Sequence, residues 1–160
     1  MFFIKKMDET TAVKISTWKY EEPYSIYSMD GSVECIDEFM SGDYYSVIDE
    51  EGKIIGFYCF GKAAQVPAGN QHLVYKDNGY IDLGLGMRPD LCGKGMGEKF
   101  LSSGIQFAKA MYSTDKIRLT VADFNKRAIR LYEKSGFKRK LSFDRAKGTT
   151  VSKFHLMILE

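Results

Sequence analysis

A mixed α/β fold, a mostly antiparallel central sheet flanked by helices, is what this 160-residue sequence predicts, and three observations carry the prediction. Segments of period-two alternation and of helical spacing follow one another in the order β-α-α-β-β-β-α-β-α-β-β. Two pairs of strand-like runs lie close enough in sequence to be hairpins, and a hairpin pairs its strands antiparallel. The stretch Leu83–Leu101, LGLGMRPDLCGKGMGEKFL, crowds five glycines where a strand gives way to a helix. With 44% apolar and 28% charged residues, the composition and length fit one domain over residues 1–160.

Taken in order, Met1–Met7 reads as a short strand, since Phe2, Phe3 and Ile4 are apolar before the chain turns polar. Val13, Ile15 and Trp18 suggest a helix over Glu9–Trp18, and Glu21–Met29 and Val33–Met40 read as short helices or loops. Tyr44–Ile48 and Lys53–Phe60, rich in aromatic and β-branched residues, flank Asp49-Glu50-Glu51-Gly52 as a hairpin. Gly61–Asn78 is polar and irregular, with Pro67, Gly69 and Asn70. Tyr80–Met87 is a strand in which Gly84 and Gly86 point to a bulge or a close backbone approach. A helix from Gly95 to Met111 lines up Met96, Phe100, Leu101, Ile105, Ala108 and Met111 on one broad face. Lys116–Ala122 alternates, with Ile117, Leu119 and Val121 to one side and Arg118 and Thr120 to the other. Asn125 suits a helix N-cap, Ala128, Ile129 and Tyr132 continue that helix, and Gly136 closes it. Phe137–Phe143 and Thr150–Leu159 form a last hairpin around Asp144–Gly148.

The net charge of +2 hides an asymmetry: residues 1–60 carry 5 Lys/Arg against 12 Asp/Glu, and residues 61–160 carry 18 against 9. Either both faces are simply solvated, or the first part meets something cationic and the second something polyanionic. Nothing reaches the ~18 apolar residues of a membrane span, and only four residues precede Lys5-Lys6, which does not read as a signal peptide. Cys35, Cys59 and Cys92 lack CxxC spacing, and neither His72 nor His155 lies near another ligand type. That argues against a metal site or a disulfide framework and for a reducing cytoplasm.

Gly93, Gly95 and Gly97 alternate ahead of a helix, where free N–H groups and the positive end of the helix dipole attract anions. The loop is therefore expected to hold a phosphate-bearing ligand, against the plainer reading of a tight turn. A Walker A loop is excluded, because Arg88 and Gly95 stand where it needs glycine and a hydroxyl. A GxGxxG fingerprint beginning at Gly93 or Gly95 would end on Glu98 or Phe100, which excludes that as well.

Arg88–Leu101, RPDLCGKGMGEKFL, resembles the acetyl-CoA signature of the GNAT-type N-acetyltransferase superfamily, Arg/Gln-x-x-Gly-x-Gly/Ala after a central strand. Leu119–Arg139, LTVADFNKRAIRLYEKSGFKR, is similar to the same family's following strand and helix. The resemblance covers roughly the last half of the chain and departs at one position, Cys92, where the family has Arg or Gln. It implies a GNAT-like acyltransferase fold that moves acetyl from acetyl-CoA, a cosubstrate, to a primary amine of a small molecule or peptide. Cys92, Gly93, Lys94, Gly95, Met96 and Gly97 would cradle the pyrophosphate, with Lys99, Lys126, Arg127 and Arg130 as further basic contacts. The pantetheine arm would pair with Leu85 and Met87, and Asn125 would bind near the thioester.

Tyr132 would protonate the leaving thiolate, a plausible transfer between a phenol of pKa ~10 and a thiol of ~8.5. An alkylammonium must lose a proton before it attacks, and Asp82 is the first candidate base, with Asp123 second. No nucleophile with a histidine base is visible, so direct attack by the amine is expected. Acidic residues from Glu21 to Glu38, interleaved with Tyr24 and Tyr27 and preceded by Trp18 and Tyr20, suit a cationic acceptor such as a polyamine, an aminoglycoside-like compound or a basic peptide terminus. The alternatives are a CoA-binding protein of this fold with altered or lost chemistry, or an interaction module. Neither a membrane nor a nucleic-acid partner is indicated, and a homodimer stays open.

Overall fold

The computed structural model describes residues 1–160, with the seven strands and four helices of the expected order and one further short α-helix between the third and fourth strands. Contacts divide the chain into two compact units: Met1–Cys59 with Leu85–Gly97, and Phe60–Gly84 with Glu98–Glu160. The strand order is β1-β2-β3-β4-β5-β7-β6.

In the first unit, β1 (Phe3–Lys6) pairs antiparallel with β2 (Tyr44–Ile48), and β2 with β3 (Ile54–Phe60) as the expected hairpin. Between β1 and β2 run α1 (Glu9–Ile15) and α2 (Val33–Phe39). Each is capped by the residue type its sequence offers: the Asp8 carboxylate accepts the Thr11 N–H at 2.8 Å, and the Ser32 hydroxyl the Cys35 N–H at 3.1 Å. Helix α1 stops at Ile15, short of the expected Trp18, and Ser16 there donates its hydroxyl back to the Val13 carbonyl. Glu21–Met29 is mostly loop, with one 3-10 turn at Ser25–Tyr27. The core is aromatic: the Phe39 ring meets Tyr44 and Phe57 edge-on at 5.0 and 5.2 Å, over buried Ile15 and Val47.

The second unit holds α3 (Ala68–Gln71), the first half of β4 (Ile81–Met87), most of α4 (Gly97–Tyr112), β5 (Ile117–Ala122), α5 (Lys126–Lys134), β6 (Lys138–Lys147) and β7 (Thr150–Leu159). Strand β4 pairs parallel with β5 at Ile81 and Asp82, while β5–β7 and β6–β7 are antiparallel. The last hairpin is longer than expected. Asp144–Lys147 stay paired with Thr150–Lys153, and the turn tightens to Gly148-Thr149, where Gly148 takes a φ of +62°. Gly61–Asn78 is more ordered than its composition suggested, and a side chain at Gly69 in α3 would strike the Tyr75 ring at 2.5 Å. Arg118 and Thr120, expected opposite the apolar side, do not form a solvent face: Arg118 is 3% exposed and Thr120 half-buried, because β5 is covered on both faces. No helix is long and apolar enough to cross a membrane.

Candidate active site

After β4 the chain makes one 3-10 turn at Pro89–Leu91 and re-extends at Cys92. Gly93 and Gly95 then take φ values of +73° and +80°, where a side chain costs about 1–2 kcal/mol. A Cβ on Gly95 would meet nothing within 4 Å, so backbone conformation, not crowding, calls for glycine there. Gly97 opens the 16-residue α4, and its first turn leaves N–H groups for an acceptor. Arg88 fixes the near side of the loop. Its guanidinium holds Asp90 at 2.6 and 3.1 Å and donates to the Ile54 carbonyl at 2.8 Å. The hydrogen bonds to Asp90 raise the Arg88 pKa and lower that of Asp90. The Cys92 sulfur turns toward the Arg88 and Met87 carbonyls, at 3.6 and 3.8 Å.

Strand β4 shows which of its edges serves which neighbour. The Ile81 N–H donates to Lys116 ahead of β5, and the Arg88 N–H to Ile55 of β3. The Met87 carbonyl accepts the Tyr20 hydroxyl at 2.7 Å. Burial, and then the neighbouring Cys92, push the Tyr20 phenol pKa up, so it remains a donor. Gly86 has a packing reason: a Cβ there would lie 2.4 Å from the Phe57 ring.

Asp82 is not a free base. It is 4% exposed, and Arg118 Nε and Nη2 grip its two carboxylate oxygens at 2.6 and 2.9 Å. Gln65 adds a third bond at 2.8 Å, and the Tyr75 and Tyr80 rings lie 5.3 and 5.6 Å from the guanidinium carbon. Burial opposes the Arg118 charge, and the Asp82 hydrogen bonds and charge outweigh it, so the Arg118 pKa is raised. With both oxygens occupied, the first-choice base of the sequence reading becomes a structural ion pair.

The second candidate, Asp123, stands just beyond β5. Asn125, two residues on, caps α5 by accepting the Ala128 N–H at 3.1 Å. Tyr132 lies seven residues further, on the same helical face, buried with its ring centroid 6.0 Å from that of Phe137. The Asp123 side chain is 43% exposed, and its Oδ1 receives both His155 Nε2 at 2.6 Å and Lys126 Nζ at 3.2 Å. Those two bonds, His155 first, hold the Asp123 pKa below the usual carboxylate range. His155 is 5% exposed, and its Nδ1 meets the Ser142 hydroxyl at 2.7 Å. The sequence reading saw no hydroxyl beside a histidine. Ser142 faces His155 across the β6–β7 register, a pairing that residue types alone do not reveal.

The family model for the acetyltransferase (GNAT) family matches residues 11–137. The spermine/spermidine N(1)-acetyltransferase of Bacillus subtilis (strain 168) is 30% identical over 106 residues, 64% of this chain and 66% of that protein, just under two thirds of its length. Among solved structures, a GNAT-family acetyltransferase from Bacillus anthracis superposes with a TM-score of 0.73 at 14% identity, covering 99% of this chain and 93% of that one. A spermidine/spermine N-acetyltransferase from Vibrio cholerae does so with 0.69 at 15% identity, covering 99% and 91%. These two likenesses speak to the fold; the family match over the glycine loop and the β5–α5 segment speaks to descent. The chain belongs to the acetyltransferase (GNAT) family.

Proposed function

We propose that this chain transfers the acetyl group of acetyl-CoA to a primary amine of a cationic small molecule, with polyamines as the first acceptor class. The observation that carries the reading is the glycine loop of a GNAT-family chain: left-handed Gly93 and Gly95 feed straight into the N-terminus of α4. In this reading Cys92–Gly97 hold the pyrophosphate through backbone N–H groups, and β4 at Leu85 and Met87 takes the pantetheine amides. Asn125 serves as α5 cap and thioester contact, and Tyr132 gives its proton to the departing thiolate. Asp123, whose Oδ2 is left open by the bonds on Oδ1, draws in the ammonium and accepts its proton, directly or through water. The acidic first 60 residues favour a polycation, as do relatives that bear the names of spermine and spermidine acetyltransferases. Three cysteines, none of them in a disulfide, suit a reducing cytoplasm.

Calorimetric titration with acetyl-CoA, on the unaltered chain and on Cys92→Arg, tests the loop. Micromolar binding that tightens with arginine at the family's usual position is expected. A thiol-release assay over spermidine, spermine, an aminoglycoside and a peptide amine then tests the transfer. Acetyl-CoA binding with no acceptor among these would favour a CoA-binding protein with altered chemistry, a reading that the Cys92 thiol, turned toward carbonyls, keeps open.

A further inference from the structure

We infer that Ser142 and His155 are a positioning pair that orients Asp123 for the acceptor amine. The inference rests on the acetyl-transfer reading above and adds two residues to it. Three side chains from three consecutive elements of the sheet form one line: Ser142 on β6, His155 on β7 and Asp123 at the end of β5. Its two links, 2.7 Å and 2.6 Å, are both short. A carboxylate only accepts, so His155 Nε2 carries the proton toward Oδ1, and Nδ1 is left to accept from the Ser142 hydroxyl.

Chemistry at this site needs the carboxylate in one orientation. His155 and Lys126 both bind Oδ1, which turns Oδ2 outward at a position two residues from the Asn125 cap. The ring cannot swing, being 5% exposed and held at both nitrogens. Lys126, from the start of α5, shares Asp123 Oδ1 with the ring, while β6 presents the neutral Ser142 to it.

Steady-state kinetics with acetyl-CoA and spermidine tests the pair. His155→Ala is expected to raise the KM for the amine about ten-fold, the loss of one charge-assisted hydrogen bond, with the KM for acetyl-CoA unchanged. His155→Gln, which keeps an N–H donor, should restore the amine KM to within about three-fold. Ser142→Ala, a lighter change at an exposed position, should raise the amine KM about two- to three-fold. Unchanged amine KM in His155→Ala and Ser142→Ala would overturn the inference while leaving acetyl transfer standing. So would an equal rise in both KM values, which marks general packing. Transfer of the acetyl group to Ser142 itself, seen by mass spectrometry without amine, would overturn it in favour of a nucleophile. Absence of acetyl-CoA binding to the unaltered chain overturns this inference and the function together.

Discussion

Asp82 and Asp123 are the same side chain on neighbouring strands of one unit, and they have opposite fates. Asp82, near the start of β4, is buried with Arg118 and Gln65 on its oxygens. Asp123, beyond the end of β5, keeps 43% of its side chain in solvent and has both partners on one oxygen. The difference is one of environment. A buried carboxylate with both oxygens bound contributes to the fold and would abandon a desolvated arginine if it moved. A carboxylate with one oxygen anchored and the other open is held in place yet able to meet a cation.

The largest expected effect falls on the closed member of the pair. Asp82→Asn leaves Arg118 buried without its counter-charge and should cost about 3–5 kcal/mol, lowering the thermal midpoint by roughly 10 °C. A stable Asp82→Asn protein with an altered pH–rate profile would reverse the two roles. Asp123→Asn should do the converse: turnover with amine drops about a hundred-fold, while the melting temperature and acetyl-CoA affinity hold. Tyr132→Phe should lower kcat by a similar factor, with acetyl-CoA affinity intact by calorimetry. Equal loss of binding would assign Tyr132 to packing against Phe137.

Smaller effects separate the glycines in the same way. Gly86→Ala drives a methyl into the Phe57 ring and should cost about 1–3 kcal/mol by chemical denaturation, relieved when Phe57→Leu is added. Gly95→Ala meets no neighbour and should cost only the left-handed strain, about 1–2 kcal/mol, yet weaken acetyl-CoA binding. If both behave alike, crowding and conformation have not been told apart.

The smallest effect is acid sensitivity. Asp8, Asp30, Asp90 and Asp123 all have carboxyl pKa values lowered in the folded chain. A depressed folded pKa contributes stability above the unfolded value, near ~3.9, and that stability is lost as pH falls through the folded one. Denaturant midpoints should therefore be flat from pH ~7 to ~5 and decline below pH ~4. A decline beginning near pH 6 would point to histidine instead.

Much of this was legible in the sequence. Asp8, Ser32 and Asn125 all cap the helices that follow them, though only Asn125 was read as a cap beforehand, and the first hairpin formed where its aromatic runs lie. Gly93 and Gly95 take positive φ, a reason for glycine that their spacing before a helix did not by itself supply. Alternation misled at Arg118, because a period-two pattern marks a polar face only when one face of the strand meets water, and β5 is covered on both faces. Gly86 looked like a ligand or bulge glycine and answers to Phe57, a side chain on the neighbouring strand.

By itself, then, the sequence determined the order of the strands and of the other four helices, the Asn125 cap, the glycine loop and the family blocks. Each depends on residues within a turn or two of one another, where dihedral preference and hydrogen-bond reach are local. Tertiary structure alone decided which aspartate is open and which residues attend it. Ser142 and His155 are 13 residues apart, His155 and Asp123 are 32 apart, and Asp82 and Arg118 are 36 apart. Strand register brings such pairs together, and a slip of one residue would turn each side chain to the other face.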